Sequence, residues 1–419
     1  MTSLLIRGGL VVDTDPIDVS RSDVLVRDGR IAAVGPGLEA PPGAEVLEAQ
    51  GRIVLPGFVD THRHTWQAAI RGVLPDTTLG EYLARVLGEL APRYQPDDVY
   101  TGVLAGALEC LDSGITTLVD WSHIQLTPEH TDANLAALRE SGIRAVFGYC
   151  YGGDGDLAPE ARRVREAVGG MVSMAIAALG PDIVPEGDRP LREWQIAREL
   201  DVPVTSHMGA SGPEQAERGL AFLEENGLLT HPTTFVHATD YTDEAFGRIA
   251  DSGGTVSVSP GIEAALGGFG HPPTGRARAA GVPTGLSADT IASGTGDMFS
   301  LMRAAHLLER GRPGDAGLGF TTRDVLRMAT IEGARVAGLA DVTGSLRPGK
   351  WADLVLLRTD LLATACAHDP VTAVVQHADT RNVDAVLVGG RVVKRDGCLV
   401  HDVTSLLTAL ADSSGRILG

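Results

Sequence analysis

Four histidines and one aspartate stand where short apolar segments of the sequence end, and their side chains are suited to holding a metal ion. His62 and His64 follow the segment GFVDT, and the single residue between them lets both imidazoles point the same way from an extended chain. His207, His237 and Asp289 each end a further apolar segment. Imidazole nitrogens and carboxylate oxygens bind divalent ions, and an ion with an exchangeable position activates water. The sequence therefore predicts a metal-dependent hydrolase.

The elements that carry these residues must bring them together. Short apolar runs alternate with helix-length segments through the middle of the chain, which is typical of parallel βα units. Eight strands are predicted, at Gly57–Thr61, Ile115–Trp121, Arg144–Tyr151, Val172–Leu179, Val202–His207, Thr233–His237, Thr255–Ser259 and Val282–Ala288. Eight such units predict an α/β fold, a (β/α)8 TIM-like barrel, in which active sites lie at the C-terminal ends of the strands. We expect the five residues to converge at that rim.

Two helices of this barrel have bounds that can be predicted from the sequence. One covers Asp97–Ser113, and the other covers Asp132–Ser141, where Asp132 is a residue type suited to capping the first turn.

The two ends of the chain predict a second, β-rich unit. The runs that favour strands are Ser3–Val12, Asp23–Val34, Glu45–Val54, Trp351–Leu357 and Val383–Val393. Turn signals such as Asp28-Gly29 and Gly389-Gly390 interrupt them. We predict a small composite β-sandwich domain formed by residues 1–55 and 346–419, and a metal-dependent barrel formed by residues 56–345.

Composition and charge exclude several classes of function. The 419 residues are 43% hydrophobic and 21% charged, as in soluble globular proteins, and the net charge of −19 disfavours binding to nucleic acid or an anionic membrane. No apolar run approaches the roughly 18 residues of a membrane span, and the N-terminal segment does not resemble a signal peptide. The cysteines are far apart in sequence and form no CxxC pair. We expect a cytoplasmic protein with reduced thiols that acts on a small molecule.

Two longer motifs resemble the amidohydrolase superfamily, namely PGFVDTHRH around the first strand and LRMATIEGARVAGLADVTGSLRPGKWADLVLL at Leu326–Leu357. The resemblance covers essentially the whole chain and points to the branch of triazine hydrolases and cytosine, guanine and adenosine-type deaminases. It implies His62, His64, His207 and Asp289 as metal ligands, with His237 beside the metal as a catalytic residue. Asp289 would take a proton from the activated water, and His237 would steady the developing oxyanion. The resemblance also implies a homo-oligomer.

The scarcity of lysine bears on the number of metal ions. Binuclear members of the superfamily bridge two metals through a carboxylated lysine on a middle strand, but Lys350 and Lys394 are the only lysines of this chain. The predicted fourth strand, VSMAIAALGP, also ends without a glutamate or a cysteine. We therefore predict one divalent ion. Three nitrogens and one carboxylate suit Zn²⁺, with Fe²⁺ or Mn²⁺ as alternatives.

One position departs from the deaminases that the chain resembles. Those enzymes carry a glutamate three residues after the histidine of strand five, and it protonates a ring nitrogen of the substrate. In this sequence the position is Ala210, and alanine cannot transfer a proton. Glu263, after the seventh strand, and His123, after the second, are candidates to replace it. Alternatively, Asp289 returns the proton of the water to the leaving amine, as suits amide hydrolysis.

Several aromatic and polar residues are expected to line the substrate site. The predicted substrate-binding residues are Trp66, Gln67, Trp121, His123, Tyr149 and Glu263. Aromatic residues make up only 4% of the chain, so several at one rim favour a flat or apolar substrate. We predict hydrolysis of a non-peptide carbon–nitrogen bond, by deamination or by amide or ring hydrolysis, in a small cyclic or heteroaromatic compound. A dehalogenating or other hydrolase of the same fold, and a non-catalytic metal-binding scaffold, are the alternatives.

Overall fold

Two sheets organise the protein, whose computed structural model describes residues 3–151, 156–184 and 188–419. Their strands are, in chain order, β1 Ser3–Thr14, β2 Ile17–Arg27, β3 Arg30–Gly35, β4 Glu45–Glu48, β5 Arg52–Pro56, β6 Phe58–Arg63, β7 Ile115–Gln125, β8 Arg144–Tyr151, β9 Val172–Leu179, β10 Val204–Met208, β11 Thr233–His237, β12 Thr255–Val258, β13 Thr284–Leu286, β14 Leu354–Arg358, β15 Val383–Val388, β16 Arg391–Arg395 and β17 Cys398–Leu399.

Strands β6 to β13 form the barrel. They run parallel, and each pairs with the strand that follows it in sequence. The barrel closes between its first and last strands, because the amide of Asp289 donates to the carbonyl of His62 at 2.9 Å and the amide of His64 donates to the carbonyl of Asp289 at 3.0 Å. All eight predicted strands are present, so the predicted (β/α)8 fold is confirmed.

The interior of the barrel changes from apolar to polar along its axis. At the N-terminal end, Val59, Val119, Val146 and Ala175 pack together, and Ala334 closes that end. In the middle of the barrel, hydroxyl groups form a hydrogen-bonded chain through Thr61, Ser257, Ser287 and Ser259, with oxygen–oxygen distances of 2.7, 3.1 and 2.7 Å. The C-terminal end is therefore the polar one, as a catalytic rim requires.

Helices surround the barrel and fill its loops. The α-helices are α1 Leu79–Tyr82, α2 Pro96–Asp112, α3 Pro128–Ser141, α4 Ala158–Ala167, α5 Arg189–Leu200, α6 Pro213–Glu225, α7 Asp243–Ser252, α8 Pro260–Ala265, α9 Thr274–Ala279, α10 Met298–Arg310, α11 Thr322–Met328, α12 Ile331–Val336, α13 Pro370–Thr372 and α14 Thr404–Leu418. Two π-helical stretches, at Leu83–Leu90 and Ala373–His377, continue α1 and α13. The C-terminal α14 packs on α2 of the barrel.

The predicted start of the second helix was wrong by a full turn. The helix α3 begins at Pro128 with Thr127 in the N-cap position, so Asp132 lies inside the helix and does not cap it. A proline is favoured in the first turn because its missing amide hydrogen has no partner there. Asp132 instead pairs with Arg163 of the neighbouring α4 at 2.7 Å.

The second sheet is built from both ends of the chain. Its strands lie in the order β17-β16-β15-β14-β5-β1-β2-β3, with β4 paired to β1. The predicted run Asp23–Val34 is divided into β2 and β3 by the turn at Asp28-Gly29. The sheet has an apolar core of its own. This core includes Leu4 and Ile6 near the N-terminus and Leu354 from the C-terminal part of the chain. A buried ion pair between Arg144 and Asp353, at 2.7 Å, joins this sheet to the barrel.

Within the described parts of the chain, none of the helices combines the length and the apolar character that crossing a membrane would require.

Candidate metal centre

The strand ends bring the five predicted residues into one cluster. His62 lies in β6 and His64 directly after it, His207 lies in β10, and His237 is the last residue of β11. Asp289 follows β13 after two further residues. The pairing of β6 with β7 shifts register between Asp60 and Arg63, at the start of the His-x-His segment.

Several distances between the candidate ligand atoms suit a shared metal ion. Nε2 of His62 is 3.2 Å from Nε2 of His207 and 3.4 Å from Oδ1 of Asp289. Nε2 of His64 is 3.2 Å from the same Oδ1. Ligand atoms on a tetrahedral Zn²⁺ stand about 3.3 Å apart when each lies about 2.0–2.1 Å from the metal. The group of His62, His64 and Asp289 has the spacing of such ligands, and His207 adjoins this group through His62.

His237 lies at the edge of this cluster. Its Nε2 is 3.9 Å from Oδ2 of Asp289, which is the carboxylate oxygen that does not face His62 and His64. The Nδ1 of His237 bonds Oε1 of Glu263 at 3.1 Å, and the amide of Ser259 donates to the same oxygen at 2.8 Å. A carboxylate that accepts from Nδ1 fixes the tautomer and the orientation of the imidazole.

The ring of His64 is oriented in the same manner. Its Nδ1 is 2.8 Å from the carbonyl oxygen of Trp121, and a carbonyl can only accept, so Nδ1 carries the hydrogen and Nε2 is free to bind metal. The ring of His123 stacks on His64 with a centroid separation of 4.1 Å.

Burial and neighbouring groups shift the pKa values of several candidate ligands in the direction that favours binding of a cation. Burial lowers the pKa of His62 to about 3, and burial together with the neighbouring imidazoles holds the pKa of His207 well below its usual range. Burial acts to raise the pKa of Asp289, but the contacts with the neighbouring imidazoles outweigh it and hold that pKa well below its usual range. Burial also acts to lower the pKa of His237, yet the hydrogen bond to Glu263 together with the charges of Asp289 and Glu263 outweighs burial, and the pKa is raised. His62 and His207 are therefore neutral and Asp289 is ionised, as metal binding requires.

Two of the site residues hold backbone conformations that are costly for their type. His237 has φ of 74° and Asp289 has φ of 57°, both in the left-handed region. Such conformations cost on the order of 1–3 kcal/mol and persist where the surrounding structure fixes them. At Asp289 the two hydrogen bonds that close the barrel provide this constraint.

Two buried aspartates that sequence reasoning did not single out support the ligand segments. Oδ1 of Asp60 accepts from the amide of Ala288 at 3.2 Å, next to Asp289. Oδ1 of Asp120 accepts from the amide of Thr65 at 3.3 Å, next to His64, and its Oδ2 accepts from Asn134 at 2.8 Å. Burial raises the pKa of Asp60 to about 6. An acidic residue inside an otherwise apolar strand, as in GFVDT and TTLVDW, is the signal that could have revealed both.

Arg63, between the two first-strand histidines, is fully buried and turns away from the metal cluster. Its guanidinium donates to Oε2 of Glu109 at 2.6 Å and to the carbonyl of Gly296 at 2.8 Å. These contacts hold the His-x-His segment against α2 and against the loop that follows Asp289, so Arg63 positions the site and does not line it.

The loop after His207 is fixed by a third aspartate. Oδ2 of Asp182 accepts from the amide of Gly209 at 2.7 Å. Gly209 has φ of 71°, and a Cβ atom there would stand 2.5 Å from Cε2 of Tyr241, so only glycine fits. This turn places Ala210 in the wall of the adjoining cavity.

A cavity of about 210 Å³ opens onto the metal cluster. Its described lining residues are His64, Leu79, Tyr82, Leu83, Leu87, Trp121, His123, Leu179, Ile183, His207, Ala210, Ser211, His237, Leu266, Phe269, Asp289 and Thr290. The predicted substrate-binding residues Trp121 and His123 are among them. This cavity is the candidate substrate site, since it combines apolar walls with a few convergent polar groups.

Four of the predicted substrate-binding residues do not line this cavity. Trp66 and Gln67 are fully buried behind it, where the indole of Trp66 donates to Nδ1 of His123 at 3.1 Å and the amide of Gln67 donates to the hydroxyl of Tyr82 at 2.6 Å. Glu263 lies behind His237, its hydrogen-bond partner. These residues act on the cavity through their neighbours.

Tyr149 is the fourth, and strand alternation accounts for its position. Along β8, Val146 and Cys150 belong to interior clusters of the barrel, whereas Phe147 and Tyr149 belong to the main core between strands and helices. Successive side chains of a strand point to opposite faces. Tyr149 therefore faces the helix layer and does not line this cavity.

The sequence matches the amidohydrolase family over residues 53–393. The chain belongs to the amidohydrolase family. Among its relatives is a 5-methylthioadenosine/S-adenosylhomocysteine deaminase of Desulforudis audaxviator, 33% identical over 412 residues that cover 94% of this chain and 93% of the relative. A 5'-deoxyadenosine deaminase of Methanothermobacter thermautotrophicus is 30% identical over 412 residues, which cover 94% of each chain.

Solved structures of similar fold include two that contain zinc. An adenosine deaminase from Xanthomonas campestris with bound zinc shares 26% identity with this amidohydrolase, with a TM-score of 0.89 and coverage of 100% of this chain and 99% of the other. The atrazine chlorohydrolase TrzN from Arthrobacter aurescens TC1, complexed with zinc, has 24% identity and a TM-score of 0.87, covering 99% and 100%. The second likeness concerns the fold alone.

Proposed function

We propose that this amidohydrolase is a metal-dependent hydrolase of non-peptide carbon–nitrogen bonds in a small heteroaromatic compound, and that deamination is its reaction. The observation that carries the proposal is a pair of possible metal-ligand groups beside a mostly apolar cavity. One group is His62, His64 and Asp289, the other is His62, His207 and His237, and the two share His62. The deaminase activities named for the relatives from D. audaxviator and M. thermautotrophicus support the same reaction class. A flat ring fits between the aromatic and leucine side chains of the walls.

We assign the metal to His62, His64, His207 and Asp289, and Zn²⁺ is the ion that their spacing fits best. When bound, Zn²⁺ lowers the pKa of a coordinated water to about 7. A second ion lacks its usual bridge, because no lysine precedes Lys350 in the sequence. The zinc bound by the adenosine deaminase from X. campestris supports the choice of metal.

The described residues divide the proton transfers between them. Oδ2 of Asp289 faces away from the ligand imidazoles and toward Nε2 of His237, at 3.9 Å. We assign this oxygen to accept a proton from the attacking water and to return it to the leaving nitrogen. His237 donates its Nδ1 hydrogen to Glu263, and its protonated Nε2 donates a hydrogen bond to the oxygen of the attacking water.

His123 supplies a donor from the opposite side of the cavity. Because the indole of Trp66 donates to Nδ1 of His123 at 3.1 Å, Nδ1 is the acceptor and the neutral ring carries its hydrogen on Nε2. We assign this Nε2–H as a hydrogen-bond donor to a ring nitrogen of the substrate, where it stabilises the negative charge that develops on that nitrogen during attack. Glu263 is a positioning residue, since it acts through His237.

Metal analysis and product analysis together test the proposal. The zinc-loaded protein is incubated with aminopurines and with chloro-substituted amino-1,3,5-triazines, and released ammonia, amine and chloride are measured. We expect one zinc per chain and release of ammonia or amine. His207→Asn should lose both metal and activity, whereas His368→Ala, which replaces an exposed histidine of a distant loop, should keep both.

Two other results would contradict the assignment. Release of chloride without ammonia or amine would agree with the assigned metal site but would contradict hydrolysis of a carbon–nitrogen bond. Zinc content and catalysis that persist in His207→Asn would reject the ligand set.

A further inference from the structure

The walls of the cavity above the metal cluster are apolar on three sides. One wall comes from the helical segment after β6, a second from the loop after β12, and a third from the loop after β9. Their side chains are Leu79, Leu83, Leu87, Leu266, Phe269, Leu179 and Ile183, and Ala210 packs against the second wall. The reacting part of a ligand contacts the polar side chains at the floor, and the rest of the ligand contacts mostly apolar side chains.

Charge is nearly absent from this cavity. Among the described residues that line it, Asp289 is the sole carboxylate, and no arginine or lysine is present. The sequence segments 152–155 and 185–187, which lie outside the described residues, read GGDG and PEG and contain no basic residue. Within the described lining of the cavity, no cation is therefore positioned to pair with an anionic group on a bound ligand.

Two polar side chains of the walls, Thr290 and Tyr82, are already hydrogen-bonded to the buried Gln67. The hydroxyl of Thr290 donates to Oε1 of Gln67 at 2.5 Å, and Nε2 of Gln67 donates to the hydroxyl of Tyr82 at 2.6 Å. Each of these bonds uses a group that would otherwise hydrate or pair with a charged substituent.

Backbone hydrogen bonds hold two of the apolar walls together. The amide of Leu79 donates to the carbonyl of Gly267 at 2.8 Å, and the amide of Gly267 donates to the carbonyl of Thr77 at 3.3 Å. A capping box between Thr78 and Glu81 fixes the start of the same helical segment. Since the walls are joined in this way, the cavity is formed before a ligand arrives, and an apolar ligand binds without ordering the loops.

Two apolar side chains at the cavity remain half-exposed. Leu83 is 46% exposed and Ile183 is 45% exposed, although both belong to the lining. Apolar surface next to a pocket marks the place where a ligand or partner is covered. The wall and the half-exposed pair together favour a substituent of hydrocarbon or thioether character.

Resting on the proposed function, we infer that the site takes an uncharged heteroaromatic substrate whose apolar substituent lies against Leu83 and Ile183, and that it excludes otherwise equal compounds carrying a carboxylate or an amino-acid group. The relatives are named for methylthioadenosine, which is uncharged, and for S-adenosylhomocysteine, which carries an amino-acid group. A charge that lies against apolar side chains and finds no partner in the lining loses hydration, which shows as a loss of affinity.

Binding of matched probes to the zinc-loaded protein tests this inference. Isothermal titration calorimetry compares methylthioadenosine with S-adenosylhomocysteine, and an N-butyl-amino-1,3,5-triazine with its N-(3-carboxypropyl) analogue. We expect the charged member of each pair to bind at least roughly 100-fold more weakly. Ammonia release is recorded separately with the same probes.

Charge-introducing variants make the test specific to the cavity. Leu83→Arg, with Ile183→Arg as a second variant, should reduce the difference in affinity between the charged and uncharged probes of each pair by roughly tenfold or more. The reason is that the guanidinium can pair with the carboxylate. Leu307→Arg alters a leucine that is 73% exposed on α10, outside the cavity lining, and should leave the difference unchanged.

The outcomes separate the inference from the proposed function. Equal binding within each pair, or no binding of either uncharged probe, overturns the inference. Discrimination in binding without release of ammonia or amine upholds the inference and overturns the proposed reaction.

Discussion

Glu263 accepts a hydrogen bond from Nδ1 of His237 at 3.1 Å, although Glu263 itself does not reach the substrate cavity. The two residues lie 26 positions apart in sequence. They meet because His237 ends β11 and Glu263 lies in α8, which follows the neighbouring strand β12. The carboxylate thus sets the charge of an imidazole at the metal cluster from behind.

Glu263→Gln should lower kcat by roughly 10- to 100-fold with little change in zinc content. Burial lowers the pKa of His237, and the hydrogen bond to Glu263 together with the charges of Asp289 and Glu263 more than offsets burial, so the amide should lower this pKa. Activity that needs the proton of His237 is lost as pH rises through that pKa, so the variant should lose it at lower pH. Measured pH profiles of kcat would contradict this role if those of variant and parent coincided.

Removal of the metal should abolish activity and lower the melting temperature. A ligand that binds only the folded state stabilises it, by about 4 kcal/mol when its free concentration is a thousand times its Kd. Dialysis against dipicolinate followed by titration with Zn²⁺ checks this by activity and by thermal melting. Full recovery should need one equivalent of zinc, and a requirement for two would contradict the mononuclear site.

His123→Phe should reduce kcat by roughly 100-fold, because phenylalanine keeps the stacking on His64 but lacks the Nε2–H donor. Trp66→Phe removes only the donor that fixes the tautomer of His123, so its effect should be smaller. Steady-state kinetics at equal zinc content compare the two variants. A His123→Phe enzyme as active as its parent would contradict the role of His123 at the ring nitrogen of the substrate.

Glu193→Gln should gain stability relative to the parent protein as pH rises. Burial raises the pKa of Glu193 from 4.5 to about 7, so the folded state holds this proton more tightly than the unfolded chain does. Its favourable contribution is complete below about pH 4.5 and is lost as pH rises through about 7, a change of at most about 3 kcal/mol.

Thermal melts at about pH 5 and pH 8 should therefore show the difference in melting temperature moving in favour of the variant at the higher pH. Glu199→Gln on the same helix is the matched control. This carboxylate is exposed and its pKa is lowered by a hydrogen bond from Arg162, so its contribution is already complete at both pH values. A parallel shift in the control would rule out Glu193 as the cause.

The sequence predicted the barrel and its ligand cluster because both depend on local patterns. Apolar runs with strand-like composition marked all eight strands, and His62, His64, His207, His237 and Asp289 stood where those runs ended. Since parallel strands end at one rim, position along the chain was sufficient to predict which side chains meet.

The same local patterns did not predict the direction of side chains or the packing of loops. Tyr149 was assigned to the rim, but the pleat of β8 turns it to the helix layer. The start of α3 depends on whether a proline or a later aspartate begins the first turn, and the sequence permits both. The apolar walls come from separate loops joined by backbone hydrogen bonds between Leu79 and Gly267, which no local periodicity predicts.

The hydrogen bonds that link His62, His64 and Asp289 join the first strand of the barrel to its last. A nascent polypeptide therefore cannot assemble the full ligand set until residues near position 289 have been synthesised and have docked beside residues 58–63. Truncation products that end before the eighth strand would leave β6 as an open edge and the histidines without their carboxylate. Closure of the barrel therefore also brings the carboxylate of Asp289 to His62 and His64.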